Sequence, residues 1–406
     1  MEATSGYREL LRNRRWLLWE TSATLSSVGY SVYAIAIPWF AYRYTASFLL
    51  VGVVLFVEVG IYALSFLTGP LVDRARDKRT IYLACYPAQA VAAALLGVAI
   101  GRGFLSIALL LGLVAFVSVL WDFTWTANNA VPRLLLRVDE FFRASGLGTL
   151  IGGAGQLAGY FAGAALVVAV GPSAGLLLYA GLLGAAALAM LPVSIVAERP
   201  AVDSYRTSFL NGWRMFQGKA GRALRQLATV ELVRGFFAAA PAILIVAVAA
   251  RTFSSEPNAY GVLFLAWAVG GIVFGLVLGE WNPRGRVGSL LAFSALASGL
   301  LLTATVAPRL SLDLGALVWF LFGATGAVYT TVFYVYLRAA YPPDAIGRVT
   351  SNLYLFTGVS GAAGAVVVGA IAVAWPLVWV GGLMAAGFLV AGALLLGFPA
   401  TRRLLF

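Results

Sequence analysis

Long apolar runs alternate with short polar connections along the whole chain. Read as helices, the runs predict twelve spans, at about 16–42, 47–72, 80–100, 104–132, 141–170, 174–196, 226–250, 258–280, 287–308, 312–338, 346–374 and 376–398. Each covers about 30 Å of hydrocarbon at 1.5 Å per residue, and several are long enough to tilt or protrude. The connections at Tyr44–Ala46, Gly101–Gly103, Gly171–Ser173 and Trp375 are tiny, and the intervening ones carry charge. In hydrocarbon every backbone N–H and C=O needs a partner within its own segment. Runs of this length therefore predict an all-α, multi-pass membrane protein.

Composition narrows this reading. Of 406 residues 61% are hydrophobic and only 11% charged, far more apolar than a soluble domain. There is no His and a single Cys, Cys85, in an apolar run. No disulfide can form within the chain, and neither a His/Cys metal site nor a His proton relay can be assembled. The net charge of +12 would suggest nucleic acid in a soluble protein. Here the positive-inside rule explains it without nucleic acid. With the N-terminus inside, the outer connections hold only Arg43, Arg102, Arg251 and Arg309, and Arg234 lies in a span. Every other Lys and Arg falls on the inner side. Both termini are therefore expected in the cytoplasm, with the cell membrane as location. Met1–Arg15 is basic, but the run after it can span and no small-residue cleavage pattern follows, so an anchor is expected rather than a cleaved signal.

The longest connection, 197–225, divides the chain into a six-helix half at 1–196 and a second at 226–406. Within it Phe209, Trp213 and Phe216 recur at helical spacing beside Arg206, Arg214 and Lys219, the pattern of a helix lying on the inner membrane surface. The halves repeat. Arg133, Asp139 and Arg143 follow span four; Arg338, Asp344 and Arg348 follow span ten, each offset by the same 205 residues.

Between spans two and three lies Gly69-Pro70-Leu71-Val72-Asp73-Arg74-Ala75-Arg76-Asp77-Lys78-Arg79. It resembles the G-x-L-a-D-R-x-x-R-R signature of the major facilitator superfamily, with Gly69, Asp73, Arg74 and Arg79 matching and Arg76 and Asp77 departing. Tyr341–Arg348 and Arg43–Ser47 are similar to segments of that family's drug and macrolide exporters. The resemblance implies a major facilitator fold of two six-helix pseudo-repeats that rock about a midplane site. It also implies a cytoplasmic gate built from Gly69, Asp73, Arg74, Arg79 and the two repeated Arg-Asp-Arg sets. Asp73 is expected to pair with Arg133 or to cap span eleven near Gly347. Span five carries Gly148, Gly152, Gly155, Gly159 and Gly163 at close-packing intervals. Gln156 stands where the family's antiporters have Pro.

Ionisable groups inside spans point most directly to function, because an ion near the bilayer centre costs about 2.5–3.5 kcal/mol. Five are present: Glu20, Glu58, Asp122, Glu231 and Arg234. Asp122, Trp125 and Asn129 fall at i, i+3 and i+7, a carboxylate, indole and amide on one stripe suited to a cationic or amphipathic molecule. Glu58 has no basic residue within several turns and could take and release a proton. Glu231 and Arg234 are placed for an intrahelical pair, or for Arg234 to switch between carboxylates or to an anionic substrate. The resemblance adds that spans one, four, seven and ten line the cavity, which brings in Ser27, Tyr30, Tyr329 and Phe333.

Four carboxylates against one guanidinium require protons or a cationic ligand. Proton coupling through Asp122, Glu58, Glu231 and Glu20 is therefore expected, with efflux of hydrophobic cationic or neutral small molecules. The alternatives are a lipid or lysolipid flippase that uses Arg234 for a phosphate, and an uncoupled facilitator. No P-loop or dinucleotide glycine pattern and no nucleophile–base pair is present, so neither an enzyme nor a cofactor is expected. The expected partners are substrate, protons and the bilayer, for a monomer.

Overall fold

The computed structural model describes residues 10–63, 65–196, 213–217, 221–254, 256–280, 287–341 and 343–402; within some of its helices individual side chains are also outside the description. The long helices are α1 (Arg14–Thr45), α2 (Phe48–Tyr62), α3 (Ser65–Arg74), α4 (Arg79–Arg102), α5 (Ile107–Ala130), α6 (Val138–Ala169), α7 (Pro172–Met190), α8 (Arg222–Ala238), α9 (Ala240–Thr252), α10 (Pro257–Glu280), α11 (Val287–Thr305), α12 (Leu312–Ala340), α13 (Pro343–Ala374) and α14 (Leu377–Gly397). Ten helical stretches among the described residues are long and apolar enough to cross a membrane.

The two other predicted spans differ in instructive ways. The first, α1, is 32 residues long but carries Thr21, Ser22, Thr24, Ser26, Ser27 and Ser31, which lower its apolar content. The second, expected to run unbroken over 47–72, is two helices, α2 and α3. At their junction the Ala63 N–H reaches back to Gly60 O at 3.2 Å, a tightened last turn that ends α2. Span seven is also interrupted, between α8 and α9. Pro241 has no N–H to donate there and its ring crowds the preceding turn. The tiny connections appear as expected: Gly103 (φ 71°) and Gly171 (φ 101°) take left-handed backbone that a side chain would disfavour.

Contacts divide the chain into two units, residues 1–37 with 67–202 and residues 38–66 with 203–406. In the first, α4 packs along α7 and α5. The first part of α1 lies on α6 at its glycine row: a Cβ at Gly155 would come within 2.8 Å of Thr24 Cγ2, and one at Gly159 would meet the Val28 carbonyl. Ser22 Oγ donates to Ala186 O at 2.8 Å, tying α1 to α7. In the second unit α10 packs with α12, α11 with α14, and α13 with both α8 and α2. Residues 38–66 join this unit because α2 lies along α13, with Gly52 against the Ala365 carbonyl. The α4–α7 pairing of the first unit has its counterpart in α11–α14 of the second.

Candidate functional site

In the first unit, α1, α5 and α6 line an open cavity of about 140 Å³. From α1 come Trp19, Glu20, Ala23, Thr24, Ser26 and Ser27; from α5, Trp121, Trp125 and Asn128; from α6, Gly152. Helix periodicity produces these walls. Glu20, Thr24 and Ser27 fall at i, i+4 and i+7, as do Trp121, Trp125 and Asn128 on the facing helix. Tyr30 stacks on Trp121 with ring centroids 4.0 Å apart. The Trp19 indole N–H donates to Tyr82 Oη at 3.2 Å, and Tyr82 O–H donates to Asn128 Oδ1 at 2.8 Å, a chain that fixes two of the wall residues.

Asp122 sits beside this cavity rather than on its lining. One residue is 100° of helix rotation, so a side chain next to Trp121 turns toward a different neighbour. That neighbour is α3. Thr68 Oγ1 donates to Asp122 Oδ2 at 2.6 Å, and Thr126 Oγ1 lies 3.5 Å from the same hydroxyl. Asp122 is 1% exposed. Its second oxygen, Oδ1, has no hydrogen-bond partner among the described residues. Trp125 and Asn129 are exposed, and the Asn129 amide donates back to Trp125 O at 3.1 Å. Of that predicted stripe only Trp125 lines the cavity, where Asn128 takes the amide position.

The second unit holds a separate polar cluster. Arg234 donates to Glu231 through two nitrogens, Nε to Oε1 at 3.1 Å and Nη2 to Oε2 at 2.7 Å. Tyr329 O–H donates to Glu231 Oε1 at 2.5 Å, and Thr357 O–H to Oε2 at 3.3 Å. The guanidinium carbon lies 4.3 Å from the centroid of the Tyr329 ring. These groups, with Phe333, Tyr334 and Tyr354, border a small cavity of about 40 Å³. Both ions are thus engaged in one network, in which a charge that would be costly alone is paired and hydrogen-bonded. Glu58 is buried in α2, in this same unit. Asp122 and Glu58 therefore belong to different units.

At the charged hairpin, Gly69, Arg74, Arg79 and Arg133 are described, with Arg74 and Arg133 exposed. The side chains of Asp73, Asp139, Arg143, Arg338, Asp344 and Arg348 lie outside the described residues, as do Gly347's surroundings, Phe209, Arg206 and Lys219. The hairpin's visible contacts run to the chain just after α7. Asp77 Oδ1 accepts from Arg79 N at 3.0 Å and Ile195 N at 3.2 Å; Lys78 N donates to Ile195 O at 2.9 Å, and Arg79 Nη1 to Leu191 O at 3.1 Å. Asp77, which departs from the family signature, is the residue that clamps this turn. In the linker, Phe216 is buried against Phe356, with ring centroids 5.8 Å apart.

The sequence does not mark Trp19, Thr24, Asn128, Thr68 or Thr357 as partners. Thr24 was within reach, one turn from Glu20 on the stripe that includes Ser27. The others become visible only when a second helix is alongside.

Neither a protein-family model nor a curated protein sequence matches the chain. Solved structures do. A mutant of the nucleoside transporter NupG is 14% identical over 95% of this chain and 99% of that one, with a TM-score of 0.78. A bacterial homologue of the human lysosomal transporter Spinster is 16% identical over 97% and 98%, with a TM-score of 0.68. The human organic anion transporter MFSD10 is 16% identical over 94% and 99%, with a TM-score of 0.63. Similarity at such low identity shows a shared fold, the all-helical fold of these three transporters.

Proposed function

We propose that the chain is a secondary active transporter that exports hydrophobic cationic or neutral small molecules in exchange for protons, by alternating access, like drug and macrolide exporters of the same fold. In this reading it crosses the cell membrane twelve times as a monomer, with both termini in the cytoplasm and six-helix halves at 1–196 and 226–406.

The observation that carries the proposal is the state of Asp122. Its carboxyl group is buried beside a Trp-walled cavity, held at one oxygen by Thr68 and, among the described residues, without a partner at the other. A carboxylate in that position is costly when ionised, and a proton on the second oxygen removes the cost. Opening toward water would reverse the preference, and such a group can couple proton movement to conformation. Glu58 is the second proposed proton site. Glu231, by contrast, already has Arg234 as counter-ion.

Transport into proteoliposomes under an imposed pH gradient tests this reading. Asp122→Asn is expected to abolish gradient-driven movement of substrate while leaving substrate exchange at equal pH intact, and Glu58→Gln to reduce the driven rate. If both variants keep full gradient-driven transport, these sites are wrong. If the wild type transports equally with and without a gradient, the protein is an uncoupled facilitator, an outcome that Gln156 in place of the antiporter Pro keeps open. A phospholipid or lysolipid substrate would need Arg234 to exchange Glu231 for a phosphate; a headgroup-translocation assay on the same vesicles separates that case.

A further inference from the structure

Two groups on the wall of the α1–α5–α6 cavity have no partner among the described residues. Glu20 is 9% exposed, and its carboxylate makes no hydrogen bond or ion pair with any described residue. Thr24 Oγ1, one turn further along α1, is buried with no hydrogen-bond partner among the described residues. Both side chains line the same space. Across from Glu20, Gly148 leaves room that a side chain would take: a Cβ there would lie 3.1 Å from Oε2 and 3.2 Å from Oε1. Gly152, also on the wall, has nothing within 4 Å of where its Cβ would be. The rest of the wall is aromatic. Trp19, Trp121 and Trp125 contribute three indoles, the ring type that attracts cations most strongly, and Tyr30 and the Tyr82 relay hold two of them in place.

We propose that this cavity binds an organic ammonium group: Glu20 neutralises its charge, the three indoles cover its alkyl surface, and Thr24 meets its hydroxyl or N–H. Other occupants fit less well. Among the described residues that line it, Glu20 alone is charged, so an anion would meet a carboxylate there. A single carboxylate is too few ligands for a metal ion. A proton alone needs no cavity, whereas about 140 Å³ matches a benzene-sized group, judged against an engineered cavity of about 150 Å³ that takes benzene. A trimethylammonium head is of that size. The inference rests on the transporter reading above and sharpens it: Glu20 serves the substrate, leaving Asp122 to serve the proton.

The test uses the full-length protein in lipid nanodiscs, with choline and its uncharged carbon isostere as probes and thermal stabilisation as the readout. Choline is expected to bind about tenfold more tightly than the isostere. Glu20→Gln should erase that preference while leaving the isostere's weak binding unchanged, and Trp125→Leu should weaken choline alone. Gly148→Ala, which crowds the carboxylate without removing it, should lower choline affinity even if Glu20→Gln fails to fold. Equal binding of the two probes, no binding of choline, or a choline preference that survives Glu20→Gln would overturn the proposal. The coupling reading fails separately. Glu20-dependent choline binding without gradient-driven transport leaves this site standing, and gradient-driven transport without choline preference leaves only the coupling.

Discussion

Among single residues, the buried ions divide by whether their partner is on the same helix or on another one. Glu231 and Arg234 are three residues apart, and their pairing follows from helix geometry. What that geometry does not supply is Tyr329 and Thr357, which come from α12 and α13 to complete the shell of Glu231. Removing one member strands the other. Arg234→Ala is expected to destabilise the protein by about 3–5 kcal/mol. Glu231→Gln combined with Arg234→Met should unfold at a higher temperature than Arg234→Ala alone. Thermal unfolding of the three proteins decides it, and an equal loss in the single and double variants would mean that the pair is not a unit. Asp122 shows the opposite case. Its place in span four was readable, but its orientation was not, because Thr68 lies 54 positions away in sequence.

Among the helices, the glycine row of α6 is the clearest case in which spacing and packing agree. Gly155, Gly159 and Gly163 present bare backbone to α1, and Gly148 and Gly152 instead open space at the cavity. One row thus does two jobs, close packing at one end and clearance at the other. Gly159→Val would push a branched side chain into the Val28 carbonyl and the Ser31 Cβ. Overpacking of this kind is expected to lower stability by about 1–3 kcal/mol, measured by thermal unfolding in detergent, with Gly152→Ala as a mild comparison. A Gly159→Val protein as stable as wild type would mean that α1 and α6 separate easily. The break between α2 and α3 was not anticipated, since an apolar run looks the same whether its helix is continuous or interrupted. The break before Pro241 could have been, because proline leaves a mark in the sequence.

For the whole molecule, the distribution of Lys and Arg predicts orientation. A reporter phosphatase fused after the last residue should be inactive, and one inserted in the turn at Gly171 active, if both termini are cytoplasmic. The reverse pattern would invert the topology and move the charged hairpin to the outer face. The hairpin itself has acquired a concrete local role. Asp77, Lys78 and Arg79 fasten it to the chain after α7, and its reach toward a gate through Asp73 is a separate expectation. If Asp73 latches that gate, Asp73→Asn should increase the inward-open population in cysteine crosslinking, and an unchanged population would remove the latch.

Hydrophobic periodicity and length alone were enough to specify an all-helical membrane protein, most helix positions, the tight glycine turns and the set of five intramembrane ions. These follow from rules that act within a segment: backbone hydrogen bonds must close locally in hydrocarbon, and ions are rare there. Which side of each helix meets which neighbour was not legible. A rotation of 100° separates a cavity wall from a helix contact, and the apolar composition around most helices is nearly uniform, so outside α1 no polar stripe points the way. Packing set those rotations. It turned Asp122 to Thr68, brought Tyr329 to Glu231, and left Glu20 facing three indoles across an open space.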